Sequence, residues 1–275
     1  MIDPSDPRSA FAGLRDRDYA RSGLMVCEGR IVIEKALECG VRLRSLLCVP
    51  ADEDEWRGVS DADGPSRGFS VAAMARAGMA ELLGFSFHRG TLALADRPAP
   101  PDPEGVPPGD ALALWNVTDP DNLGALVRSA AALGAARVYL GPGCADPYGR
   151  KALRASMACA LGLPIVPLSG VDQLAFARGP AGGAAPGGAS GGGNLLAAAA
   201  LVPGALEPRA APGRAGGRHV TLVLGNEGWG LPADVVAACD ERVVVPMAGR
   251  VDSLNVGAAG AILMWELFGK AGART

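Results

Sequence analysis

The chain has 275 residues, 49% of them hydrophobic and 20% charged, and its 26 Lys and Arg against 29 Asp and Glu give a net charge of −3. That describes a folded, soluble chain with room for two domains and a sizeable core, without the basic excess that often marks nucleic-acid binders. No apolar run approaches the length of a membrane span, and the charged N-terminus MIDPSDPRSAFAGLRDRDYARSG lacks the apolar core of a secretion signal, so a cytoplasmic protein is expected.

Six cysteines, Cys27, Cys39, Cys48, Cys144, Cys159 and Cys239, form no C-x-x-C pair and are joined by only two histidines, His88 and His219. A metal site has little to be built from, and reduced thiols are the expected state.

In chain order, residues 14–30 read as helical, and EGRIVIEKALECG continues as a helix stopped by Gly40. VRLRSLLCVP reads as a strand, DEDEWRGVSDADGPSRG as an acidic surface loop, SVAAMARAGMAELLG as a helix and FSFHRGTLALA as a final strand or a turn and strand. DRPAPPDPEGVPPGD, from Asp96 to Asp110, is a proline-rich linker. The expected division is residues 1–97, a linker at 98–110, and a second domain over 111–275.

The second part alternates regularly. ALALW and RVYL read as strands around a helix from about Asn122 to Leu133, and a helix from Arg150 to Leu161 precedes the strand PIV and the helix VDQLAFAR. This rhythm predicts a parallel sheet with helices on its faces. The Gly-rich run at 179–193 reads as a flexible insertion, and PGALEPRAAPGRAGGR as a second loose stretch before the strand HVTLVLG. VVVP reads as a strand buried on both sides. After it Ser253 and Asn255 stand at the mouth of a nearly all-apolar helix, where free N–H groups and the positive dipole end are available.

Three segments place polar residues where strands end, which is where ligands collect in open α/β folds. The first carries Asp119, Pro120, Asp121 and Asn122, with Arg128 farther along an Ala- and Leu-rich helix, a setting in which a buried charge would need justification. In the second, Gly225, Gly228 and Gly230 alternate with Asn226, Glu227 and Trp229. That spacing is not the G-x-G-x-x-G dinucleotide fingerprint, which counts against a nicotinamide oxidoreductase. The third carries Ser253 and Asn255.

In this order, DNLGALVRSAAALGA, LVLGNEGWGLP and VVVPMAGRVDSLNVGAAGAILMWEL resemble the three motifs of the SpoU/TrmH family of RNA ribose 2′-O-methyltransferases, in the SPOUT class. The resemblance spans residues 111–268, and residues 22–97 resemble the substrate-binding α/β module that often precedes this domain. It implies an α/β fold whose C-terminal SPOUT domain has a parallel sheet and a deep trefoil knot, formed where 222–232 meets 243–255. It also implies S-adenosyl-L-methionine as cofactor, ribosomal or transfer RNA as substrate, no metal, and a homodimer joined through the last helix. By resemblance Arg128, Asn122, Glu227, Ser253 and Asn255 are catalytic, and Leu224, Gly225, Asn226, Val245, Met247, Leu254 and Val256 hold the cofactor. Arg150, Lys151 and Arg154 are candidates for RNA backbone contacts. The alternatives are a non-catalytic RNA-binding relative and a SPOUT enzyme methylating a base nitrogen; the first is disfavoured by the complete polar set and the second by the S-L-N motif.

Overall fold

The structure is a computed structural model that describes residues 7–268 apart from 14, 63, 65, 67, 86, 103–104, 106–107, 179–192, 211–217 and 250–252. The insertion expected at 179–193 lies outside the described residues except for Gly193, as does most of the later part of the second loose stretch. The chain divides into two compact units, residues 1–99 with 148–162, and residues 100–147 with 163–275.

In the first unit β1 (Leu24–Glu28), β2 (Leu43–Cys48), β3 (Ser70–Ala73) and β4 (Thr91–Asp96) form a sheet in the order β1-β4-β2-β3. The β2–β3 pair is parallel, and β4 runs antiparallel to both its neighbours. Val26, Leu47, Leu92 and Leu94 from this sheet share a core with Phe11, Met79, Leu83 and Phe87.

Four local expectations change in this unit. The run SVAAMARAGMAELLG is not one helix: Ser70–Ala73 is β3, paired with β2, and the helix spans only Arg76–Leu83. Residues 24–28 are a strand rather than part of a helix: Gly23 and Gly29, at φ +71° and +90°, bracket them, and Met25, Val26 and Cys27 are all buried. The acidic stretch holds a helix, Glu53–Asp61, not a loop. Glu53, Asp54 and Glu55 occupy its first turn, where the helix dipole favours them, and Trp56 and Ser60 share its buried face. The Ser60 hydroxyl donates to the Phe69 carbonyl at 2.6 Å and ties the helix to the chain entering β3. Finally, the helix expected over 150–161 is two, Arg150–Ala155 and Cys159–Gly162, and both belong to this first unit. Met157 and Ala158, in the left-handed region at φ +51° and +60°, separate them.

The second unit is a six-stranded sheet in the order β10-β8-β9-β5-β6-β7, built from β5 (Ala111–Leu114), β6 (Arg137–Leu140), β7 (Ile165–Pro167), β8 (Leu195–Ala199), β9 (Val220–Leu224) and β10 (Glu241–Val243). Every neighbouring pair in it is parallel. The central strands β5 and β9 are buried along their whole length, as uninterrupted apolar runs in a covered parallel sheet should be. The helix Pro120–Ala132 joins β5 to β6; Asp119 caps it by accepting the Asp121 N–H at 2.8 Å, and Pro120 sits where no N–H is needed. Among the described residues no helix is long and apolar enough to cross a membrane.

The VVV run departs from its expectation. The strand is Glu241–Val243, at the edge of the sheet, and only Val243 of the three valines is buried. The regular ladder with β8 ends at Val243, and the Val244 amide donates to the Leu206 carbonyl at 3.0 Å as part of a single parallel bridge between Leu206 and Val243. β8 carried no expectation, because its run LLAAA has little β-branched character to announce a strand. VDQLAFAR forms a 3-10 rather than an α-helix.

One ion pair ties the edge of this sheet together. Asp240 accepts two bonds from the Arg178 guanidinium, at 2.7 and 2.9 Å, and one from the Leu196 amide at 2.9 Å. Burial pushes the Asp240 carboxyl up, but the Arg178 and Leu196 bonds and the nearby positive charge outweigh it, and the group titrates below its ordinary value of 3.8. A carboxyl lowered in the folded state adds stability above its unfolded pKa and loses it as the pH falls through the folded one. Wild type should therefore unfold at higher urea than Asp240→Asn at pH 7, with the gap closing as the pH drops below the ordinary value of 3.8; urea titrations of both proteins across that window check it.

Candidate functional site

β5 and β9 lie side by side at the centre of the parallel sheet, and the chains leaving them diverge, one toward β6 and the other toward β10. A crevice opens at such a point, outside the carboxyl ends of the strands. The ends are held together: the Trp115 amide donates to the Leu224 carbonyl at 2.9 Å, and Asn226 Nδ2 donates to the Asn116 carbonyl at 2.9 Å.

The chain after β9 makes a closed turn. Asn226 and Gly230 exchange backbone hydrogen bonds at 3.2 and 2.9 Å, and Asn226 Oδ1 accepts the amides of Gly228 and Trp229 at 2.8 and 3.2 Å. Gly225 has to be glycine here, because a Cβ on it would stand 2.4 Å from the Gly230 backbone. Asn116 adopts a left-handed conformation at φ +54°, uncommon for a residue with a side chain, and so turns its carbonyl to Asn226.

Beside this turn runs a relay of amides. Asn122 Nδ2 donates to Glu227 Oε1, and Asn122 Oδ1 accepts from Asn255 Nδ2 at 2.9 Å. Asn255 Oδ1 in turn accepts the Gly257 and Ala258 amides at 2.9 and 3.2 Å, capping the helix Val256–Leu267. Backbone N–H groups can only donate and an ionised carboxylate can only accept, so the direction of both side-chain amides is fixed from the two ends. The capped helix packs on Pro120–Ala132, and a Cβ on Gly260 would stand 2.3 Å from Leu126 Cδ2.

The turn, the chain after β10 and the start of the last helix enclose a cavity of about 480 Å³. Leu224, Gly225, Asn226, Val245, Met247, Leu254 and Val256 all line it, so the seven residues assigned by resemblance to one ligand share one cavity; Glu227 and Ser253 line it too. Asn122 and Asn255 reach the group through the relay. Arg128 does not: it is exposed and makes no hydrogen bond or ion pair among the described residues. The expectation of an arginine set amid apolar side chains is therefore corrected, since Leu126, Val127 and Ala130 face the core while Arg128 faces out. Sequence reasoning missed Asn116 and the cavity wall from Ala199, the end of the unassigned β8, to Val202.

Cys144 lies near the Asn116 turn, and burial pushes its thiol up to about 11 despite backbone hydrogen bonds from Val117 and Asn116 that pull it down. It stays protonated at neutral pH and is no nucleophile. All six cysteines are free, and among the described residues no group of three His, Cys, Asp or Glu side chains is placed to hold a metal ion. In the first unit, Arg89, Arg150 and Arg154 lie 3.4, 4.0 and 3.6 Å from the carboxylate of Glu28.

A family model described as the SpoU rRNA Methylase family matches residues 111–265. An uncharacterised tRNA/rRNA methyltransferase of Mycobacterium tuberculosis is 31% identical over 97% of this chain and 90% of its own. RlmP of Bacillus subtilis, a 23S rRNA guanosine 2′-O-methyltransferase, is 33% identical over 56% of this chain and 55% of its own. Among solved structures, the SpoU methyltransferase AviRb of Streptomyces viridochromogenes, in complex with AdoMet, has a TM-score of 0.72 and 26% identity over 95% of each chain.

The geometry ranks three substitutions. Asn255→Ala removes a helix cap and should cost about 1 kcal/mol of stability. Gly225→Ala, with its Cβ 2.4 Å from backbone, should cost more, whereas Gly228→Ala, 3.5 Å from the nearest atom, should be the mildest. Urea unfolding of the three proteins tests the order.

Proposed function

The chain belongs to the SpoU rRNA methylase family, and on that premise we propose that it transfers a methyl group from S-adenosyl-L-methionine to a ribose 2′-hydroxyl of ribosomal or transfer RNA. The observation that carries this reading is the coincidence of the apolar cavity with the Glu227–Asn122–Asn255 relay at one end of the same sheet. Two similarities support it: RlmP is a ribose 2′-O-methyltransferase of ribosomal RNA, and AviRb binds AdoMet.

The cavity suits that cofactor. Its 480 Å³ falls in the range of roughly 300–1,000 Å³ usual for small-molecule sites, with apolar walls for a nucleoside and Asn226, Glu227 and Ser253 for polar groups. Leu224, Gly225, Asn226, Val245, Met247, Leu254 and Val256 would hold it. When bound, S-adenosylmethionine supplies an electrophilic methyl group on a sulfonium, chemistry that needs no metal.

The protein's part is then to aim the 2′-oxygen and favour its loss of a proton. Glu227, fixed through Asn122 to a helix end, and Ser253 and Asn255 orient the nucleotide. A guanidinium offers donors and no acceptor, so the role of Arg128 is to bind RNA phosphate and the developing alkoxide, not to take the proton. Its exposure suits a group that meets its anion only when RNA arrives.

The reading extends to the rest of the chain. The 1–97 domain recognises RNA, with Arg150, Lys151 and Arg154 meeting its backbone. The deep knot lies at the C-terminal part of the sheet domain; what supports it is the chain's path from β9 out to the edge strand β10 and back onto the helix Pro120–Ala132. The molecule acts as a homodimer through the last helix, whose Ile262 and Trp265 are apolar yet 43% and 60% exposed. Trp265→Glu is expected to shift the protein to monomer in sedimentation at micromolar concentration; a dimer unchanged by that substitution rejects this face as the interface.

Labelled methyl transfer to ribosomal and transfer RNA lacking this protein's modification, followed by digestion, tests the activity itself. A single 2′-O-methyl nucleotide is expected, and a methylated base or no transfer overturns the reading. Arg128→Ala should lower transfer about 100-fold or more while labelled cofactor still binds; lost cofactor binding would reject its assigned role.

A further inference from the structure

Trp229 is 90% exposed, whereas Trp56 and Trp115 are 1% and 4% exposed. A bare indole is costly to leave in water, because burying such a ring removes 150–250 Å² of surface. Mobility of the main chain does not account for it. The Trp229 amide is bonded to Asn226 Oδ1, the turn is closed by the Asn226–Gly230 pair, and Asn226 is anchored to the Asn116 carbonyl. A rigid turn therefore holds an uncovered aromatic ring at the rim of the cavity, two residues from Glu227.

We propose that Trp229 is a stacking platform for a nucleobase of the RNA substrate, next to the ribose that is methylated. The inference rests on the methyl-transfer reading and adds to it a residue that positions the substrate. Trp229 borders the cavity, whose apolar wall is also formed by Leu224, Val245, Met247, Leu254 and Val256, and at 90% exposed its indole keeps most of its surface open to an incoming base. RNA is read mainly where single-stranded bases are splayed out, and aromatic side chains receive such bases face to face. Every base has such a face, so this contact sets affinity and position without choosing the base. Stacking contributes about 1–3 kcal/mol per base, which as a change in affinity is roughly 5-fold to 150-fold.

The test uses the full chain, ribosomal and transfer RNA lacking the modification, and the variants Trp229→Ala, Trp229→Phe and Trp229→Leu. Trp229→Ala is expected to raise the KM for RNA by about tenfold or more, with kcat at saturating RNA and the Kd for labelled S-adenosylmethionine little changed. Trp229→Phe should restore most of the loss, and Trp229→Leu should not. RNA should also quench indole fluorescence in wild type more than in Trp229→Phe. An unchanged KM in Trp229→Ala overturns the proposal, as does rescue by Leu equal to that by Phe, or a cofactor Kd that weakens in step with KM, which would make the indole a cover for the cofactor. Wild type that quenches on RNA but transfers no methyl keeps the stacking and rejects the activity. Active wild type with an indifferent Trp229 does the reverse.

Discussion

Asn122 bonds two residues that lie 105 and 133 positions from it in the chain, Glu227 on one side and Asn255 on the other. No local preference brings these three together; only the closed sheet and the packed last helix do. An amide suits this place because it has one donating and one accepting end, and here it stands between a carboxylate and a second amide. That second amide is polarised by two backbone N–H groups at the start of a helix, so the line from helix end to Glu227 has a single direction.

The relay can form only because backbones approach closely around it. Gly225 lets the turn close on Gly230, and Gly260 lets the last helix sit against Leu126 and Leu224. Each contact would be blocked by one methyl group. The cavity is what remains between these approaches and the chain that peels away from the sheet after Val243. An edge strand of three residues thus serves the site better than the longer buried strand its sequence suggests, because Val244 and Val245 are released to line the cavity.

What the sequence made legible were the polar residues at strand ends and the apolar runs of β5 and β9, since both signals are local and strong. The seven cavity residues follow from recognising the motifs; periodicity alone would not have joined Leu224 to Val256. Elsewhere the reading failed where local chemistry was ambiguous. Residues 24–28 and 53–61 each exchanged their expected states, the first because two glycines cut out a strand within a helical pattern, the second because acidic residues that look like loop are good first-turn residues for a helix. The break at Met157 and Ala158 carries no sequence signal at all, since neither residue favours the left-handed region.

Under the proposed methyl transfer, two arginines separate burial from function. Arg128 drew attention as a charge among apolar neighbours, yet the helix turns it to solvent. The buried guanidinium is that of Arg137 at the start of β6, 1% exposed, bonded to the Tyr139 hydroxyl at 3.3 Å and with its Nε unpaired. Arg137 lies at the opening of its strand, away from the carboxyl ends where the cavity forms, so its burial belongs to the packing of the sheet. A guanidinium that must capture a phosphate works better from solvent. It keeps its charge without a partner in the free protein, and it loses its water only when the anion that replaces it arrives. For an enzyme whose substrate brings its own negative charge, an arginine left without a partner is therefore a stronger sign of function than a buried one.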